Sequence, residues 1–94
     1  MDQAKLSGGC ILILRRLYNQ KRIGGRHIPL TIVHKWIKHL SKEEHRMAVS
    51  DWNLCVKEGL ILLKPKPNDL HVSLNPRRID EVRSIMEGSF GEGI

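Results

Sequence analysis

Apolar residues recur along this chain in two rhythms, and the change from one to the other divides it. From Ser7 to Arg22 the residues Cys10, Ile11, Leu14, Leu17 and Tyr18 return every three or four positions, with Arg15, Arg16 and Asn19 opposite. That is the period of a helix with one buried face. Leu6 and Ile13 widen the stripe, which fits a dimer contact and a wide core face equally well. Gly24 and Gly25 close the helix. Arg26 to Ile28 reads as a short extended piece, because the residue before Pro29 avoids the helical region. Pro29 then suits the first turn of a second helix over 29–40. There Leu30, Val33, Trp36, Ile37 and Leu40 line one side and Thr31, His34, Lys35, Lys38 and His39 the other.

Ser41 opens a third helix, 41–58, as the first member of a capping box completed by Glu44. A cap directly after Leu40 means a sharp turn between two helices, which is a helix-turn-helix. Ala48, Val49, Trp52, Cys55 and Val56 form the buried stripe of the third helix, and Gly59 stops it. The rhythm then changes. Leu60 to Leu63 is a continuous apolar strand, and Leu70, Val72 and Leu74 alternate with His71 and Ser73. Between them, Lys64 to Asp69 contains two prolines that cannot donate to a ladder, so the ribbon is expected to end there in a stiff turn. Asn75 caps a last helix with Pro76 at its first position, with Ile79, Val82 and Met86 as its stripe and Gly88 as its stop. Residues 1–6 and 89–94 are expected to be flexible ends around one domain, 7–88.

Composition changes this picture little. Ninety-four residues make one small domain, and 40% hydrophobic with 28% charged is a normal globular balance. Trp36 and Trp52 are expected to anchor the core. No apolar run approaches the roughly 18 residues of a membrane span, and CILIL at 10–14 lacks the flanks of a signal peptide. The expected location is cytoplasmic, or on the nucleoid. Cys10 and Cys55 read as buried free thiols.

Charge changes it more. The net charge is +6, and the segment from Arg15 to Arg46 alone holds nine basic residues against Glu43 and Glu44, or +7. The remainder of the chain is therefore −1. Positive charge is concentrated, and concentrated positive charge favours an anionic partner.

The element order is helix, short strand, helix, helix, strand, wing, strand, helix. Together with the phrase Val56-Lys57-Glu58-Gly59-Leu60-Ile61, this resembles the winged helix-turn-helix family, over about residues 7–87. The resemblance implies a mainly helical α+β domain. It has a three-helix core, a short three-stranded sheet with one wing, and a C-terminal helix. It also implies binding of double-stranded DNA, with the third helix in the major groove and the wing on the backbone or in the minor groove.

Positions 46, 50, 53 and 57 are spaced to share one helix face. Arg46 suits guanine, Asn53 suits adenine, and Ser50 can reach a base edge or a phosphate, so these three are the expected base readers. Lys42 and Lys57 near the helix ends, Thr31, His34, Lys35 and Lys38 on the second helix, and Lys64, Lys66 and Asn68 on the wing are the expected phosphate contacts. Asp51, Glu44 and Glu58 fall on another side of the third helix. The bland alternative for every one of these groups is an ordinary solvated surface.

His27, His34, His39, His45 and His71 show no pair at i, i+4, and neither cysteine lies in a CxxC, so no metal or other cofactor is expected. Gly8-Gly9 and Gly24-Gly25 are isolated pairs rather than a phosphate loop, and no nucleophile elbow is present, so an enzyme is not expected. The expected function is sequence-specific binding of double-stranded DNA by a small transcriptional regulator. The alternative is a winged helix used for protein contact in a replication, transcription or host-takeover complex, with Met47, Leu54 and Ile13 at the interface. A homodimer also stays open.

Overall fold

A computed structural model describes residues 6–91. Their first helix, α1 (Gly8–Asn19), begins at a doubly tied cap. The Ser7 hydroxyl accepts from the Cys10 amide at 3.4 Å, and the Ser7 amide donates to Oδ2 of Asp51 at 2.6 Å. The helix stops short of the expected Arg22. Lys21 takes a left-handed conformation with φ 58°, and the amides of Lys21 and Arg22 return to the carbonyls of Tyr18 and Leu17. This closure caps a helix end without needing glycine. Gly24, with φ 63°, instead bends the chain onto the sheet, where its amide donates to the Leu74 carbonyl.

The strand β1 (Ile28–Pro29) is minimal and leads directly into α2 (Leu30–Trp36). This helix is shorter than the expected 29–40. Residues 37–40 tighten through i to i+3 bonds, from the amides of Ile37, Lys38 and Leu40 to the carbonyls of His34, Lys35 and Ile37. The tight turn delivers Ser41 as the cap of α3 (Lys42–Lys57). Its hydroxyl accepts from the Glu44 amide at 3.2 Å, and the Glu44 carboxylate accepts from the Ser41 amide at 3.3 Å. At the far end Gly59, φ 85°, lets the Leu60 amide reach the Cys55 carbonyl and its own amide reach Val56.

The hairpin is longer than expected. β2 (Ile61–Lys66) runs through Pro65 and pairs with β3 (Asp69–Leu74) down to Lys66 opposite Asp69, so the loop is only Pro67 and Asn68. The sheet is antiparallel with order β1-β3-β2. β2 is therefore an edge. In this register, with the Asn75 amide bonded to the Leu60 carbonyl, Pro65 sits where its nitrogen faces away from β3. A proline costs nothing to the ladder at such a position. The edge placement also divides the continuous apolar run: Leu60 and Ile61 are buried, while Leu62 and Leu63 are exposed.

Asn75 accepts from the Arg77 amide at 3.0 Å and caps a 3-10 turn, Pro76–Arg78, which leads into α4 (Ile79–Gly91). α4 runs past Gly88, which does not take the left-handed conformation that would stop it. Of the expected flexible ends, residues 1–5 and 92–94 lie outside the described residues, while Leu6 packs against the core.

The described part is a mainly helical α+β domain. α1 crosses α3, α4 packs on α1, and the sheet closes one side. Leu14, Leu17, Val33, Ile37, Trp52, Val72, Leu74 and Val82 form one cluster. Ile13 belongs to that core at 1% exposure, so it is no interface residue. Trp36 departs from the expected anchor role. It is half-buried, with the Arg16 guanidinium 5.5 Å from its ring centre. Cys10 and Cys55 are free and buried, with sulfurs 3.9 Å apart where α1 meets α3. The Cys55 sulfur and burial push the Cys10 thiol well up, which keeps it protonated. No described helix is long and apolar enough to cross a membrane.

Candidate nucleic-acid interface

α3 is held at both ends and along one side, and this fixes which side chains face out. Ala48, Trp52 and Cys55 are buried, while Lys42, Arg46, Ser50, Asn53 and Lys57 are all exposed. Their spacing places these five on one face, as expected. The expectation that no acid shares that face needs correction. Glu43 is three residues before Arg46, which is one turn, and its carboxylate pairs with the Arg46 guanidinium. The side chains are 73% and 66% exposed. An ion pair so open to water is worth roughly 0–1 kcal/mol. It restrains Arg46 without locking it.

Asp51 is engaged by the Ser7 amide and holds the start of α1. Between the acidic side of α3 and its basic face lie Met47 and Leu54, exposed at 46% and 38%. Beside them Ser7, Glu43, Arg46, Met47, Ser50 and Asp51 border a shallow, open hollow that carries both signs of charge.

The other expected contacts are on the surface but not on one element. Thr31, His34 and Lys35 are exposed on α2, whereas exposed Lys38 lies in the turn after it. Lys64 and Lys66 are exposed on β2, and Asn68 is in the two-residue loop. Among the described residues none of these lysines is ion-paired. The described ion pairs are Arg46–Glu43, Arg78–Glu81 and Arg83–Asp80.

One arrangement was not legible from sequence. His27 and His71, 44 positions apart, place their Nδ1 atoms 2.8 Å from each other. A search for local histidine spacings misses a pair that only sheet register creates. Burial, followed by Lys66, His71 and Lys64, holds the His27 imidazole below the ordinary histidine range. Among the described residues no three His, Cys, Asp or Glu side chains converge as a metal site would need.

No protein-family model, curated protein or solved structure matches this chain.

Proposed function

We propose that this is a winged helix-turn-helix domain that binds double-stranded DNA and serves as a small transcriptional regulator in the cytoplasm or on the nucleoid. What carries the reading is the face of α3. Lys42, Arg46, Ser50, Asn53 and Lys57 are exposed together on the side opposite Ala48, Trp52 and Cys55. An α-helix fits the major groove, where Arg reads guanine, Asn reads adenine, and a hydroxyl can serve either. The tight turn before Ser41 and the sheet order β1-β3-β2 agree with a winged helix. In that arrangement the β2–β3 hairpin is the wing. Thr31, His34, Lys35, Lys38, Lys42, Lys57, Lys64, Lys66 and Asn68 meet phosphates, which give register and salt-sensitive affinity. The domain on this reading binds and does not catalyse.

Fluorescence anisotropy with a random duplex at low salt tests this directly. Non-specific binding is expected at roughly 1–100 µM in physiological salt and more tightly at low salt. Silence across that range removes the proposal. In a selected target site, Arg46→Ala with Asn53→Ala should lower sequence preference by roughly 1–3 kcal/mol per lost base contact. Their non-specific affinity should fall less. Equal losses in both would take the base-reading role away from α3.

The exposed Met47 and Leu54 favour a second reading, a protein-contact module that uses the apolar strip of α3. On that reading Lys35, Lys38 and Arg46 can be replaced without changing what the domain binds.

A further inference from the structure

The outer face of the sheet carries a cluster separate from the face of α3. Register sets Lys64 opposite His71 and Lys66 opposite Asp69, and His27, just before β1, stands against His71. The two Nδ1 atoms are 2.8 Å apart and the rings are edge-on, with centres 4.9 Å apart. Two lone pairs do not approach so closely, nor do two N–H groups, so one proton lies between the rings.

Neither ring has another hydrogen-bond partner among the described residues. In the neutral pair, the ring that donates through Nδ1 keeps a bare Nε2, and the accepting ring carries its proton on Nε2. The neutral pair therefore offers one outward N–H. A further proton on the bare Nε2 makes an imidazolium and a second outward N–H.

The neighbours are mostly basic. Lys64 and Lys66 come from β2, and Arg26 precedes His27 in the chain. The acid on this face, Asp69, accepts from the Leu70 amide at 2.7 Å, and the Ser73 hydroxyl donates to the Gly24 carbonyl at 2.8 Å. Two lysines beside two imidazoles repel a metal cation and attract an anion.

We propose that His27, His71, Lys64 and Lys66 form a proton-linked site for a phosphodiester of the DNA backbone. The proposal takes its ligand from the DNA-binding reading and adds a contact and a pH dependence to it. A phosphate oxygen accepts from the outward Nε2–H of the charged ring while the ammonium groups balance its charge. In the free protein the lysines oppose the extra proton. A bound phosphate reverses that field and raises the proton affinity of the pair. The sign follows: affinity is greatest at low pH and is lost as pH rises through the bound-state pKa, by at most about tenfold per pH unit for one proton.

The test is an NMR pH titration of the His27 and His71 ring protons, with the protein alone, with inorganic phosphate, and with a short random duplex. Anisotropy across the same pH range is measured for the wild type and for His27→Gln with His71→Gln. The two proteins differ only at positions 27 and 71, so the difference between them isolates the pair. The duplex is expected to raise the proton affinity of the pair, and the variant to lose the corresponding rise in affinity at low pH. Bound duplex with an unmoved pKa and identical pH profiles overturns the site and leaves DNA binding standing. A shift with inorganic phosphate but not with duplex assigns the cluster to a free anion and overturns the DNA contact. No duplex binding at any pH removes both readings.

Discussion

Gly9 shows how much one missing carbon decides here. A Cβ at this position would lie 2.7 Å from the Cβ of Ala48 and 2.9 Å from Cδ1 of Leu40. Two small residues therefore set the separation of α1 and α3, and with it the angle at which α3 presents its outer face. Gly9→Ala gains helix propensity of at most about 1 kcal/mol. The overlap with Ala48 should cost more, roughly 1–3 kcal/mol. Thermal denaturation should show a net fall of several degrees, since about 1 kcal/mol moves the midpoint of a domain this size by roughly 4–8 °C. Ala48→Gly in the same protein should return part of the loss, because it removes the atom that clashes. A Gly9→Ala protein as stable as the wild type would mean that the helices separate freely. Arg46 teaches a different lesson at this scale. Its partner Glu43 is one helical turn away, well within the reach of a helical-wheel argument. The acid stands beside the basic and amide residues of that face.

The helix ends were legible where the capping chemistry is local. Ser41 with Glu44, and Gly59, formed the expected cap and stop because each needs only residues within one turn. The end of α1 was misplaced because Lys21 performs there what glycine performs at 59. The end of α2 is not legible because its periodicity continues through a tight turn that buries Ile37 equally well. The full hairpin is not legible because the prolines signal a break, and no local residue marks β2 as the edge strand that tolerates Pro65. These two left-handed positions give predictions of opposite sign. A side chain in the left-handed region costs roughly 1–2 kcal/mol, and glycine returns about 0.5–1 of that through unfolded-chain entropy. Lys21→Gly should raise stability by up to about 1 kcal/mol and Gly59→Ala should lower it by about 1 kcal/mol or more. A new Cβ at 59 would also stand 3.4 Å from a guanidinium nitrogen of Arg78. Urea titrations with unchanged slopes would read both shifts. Destabilisation by Lys21→Gly would show that its side chain, not its backbone, matters at the end of α1.

For the whole molecule the question is whether its positive charge acts as one surface. The basic residues concentrated between Arg15 and Arg46 come from α1, the connection from α1 to β1, α2, the turn after it and the start of α3, while the lysines of the hairpin follow later in the chain. The domain is 43 Å in its longest dimension, about one turn of B-DNA with margin on either side. A single docking can therefore engage the hairpin and α2 together only if both lie along the same groove edge. Salt dependence measures this without a known target sequence, because each neutralised phosphate contributes about −0.9 to the slope of log affinity against log salt. If Lys35, Lys38, Lys42, Lys57, Lys64 and Lys66 all meet phosphates, the slope should be about −5. Replacing Lys35 and Lys38 by alanine should make it shallower by about 2, and Lys64 with Lys66 by a similar amount. Arg83 on α4, which is paired with Asp80 and belongs to the helix packed on α1, should be replaceable without any change in slope. Loss from the first pair alone would confine DNA to the helix-turn-helix and leave the hairpin free. An equal loss from Arg83 would show that the protein attracts DNA by net charge, with no preferred face.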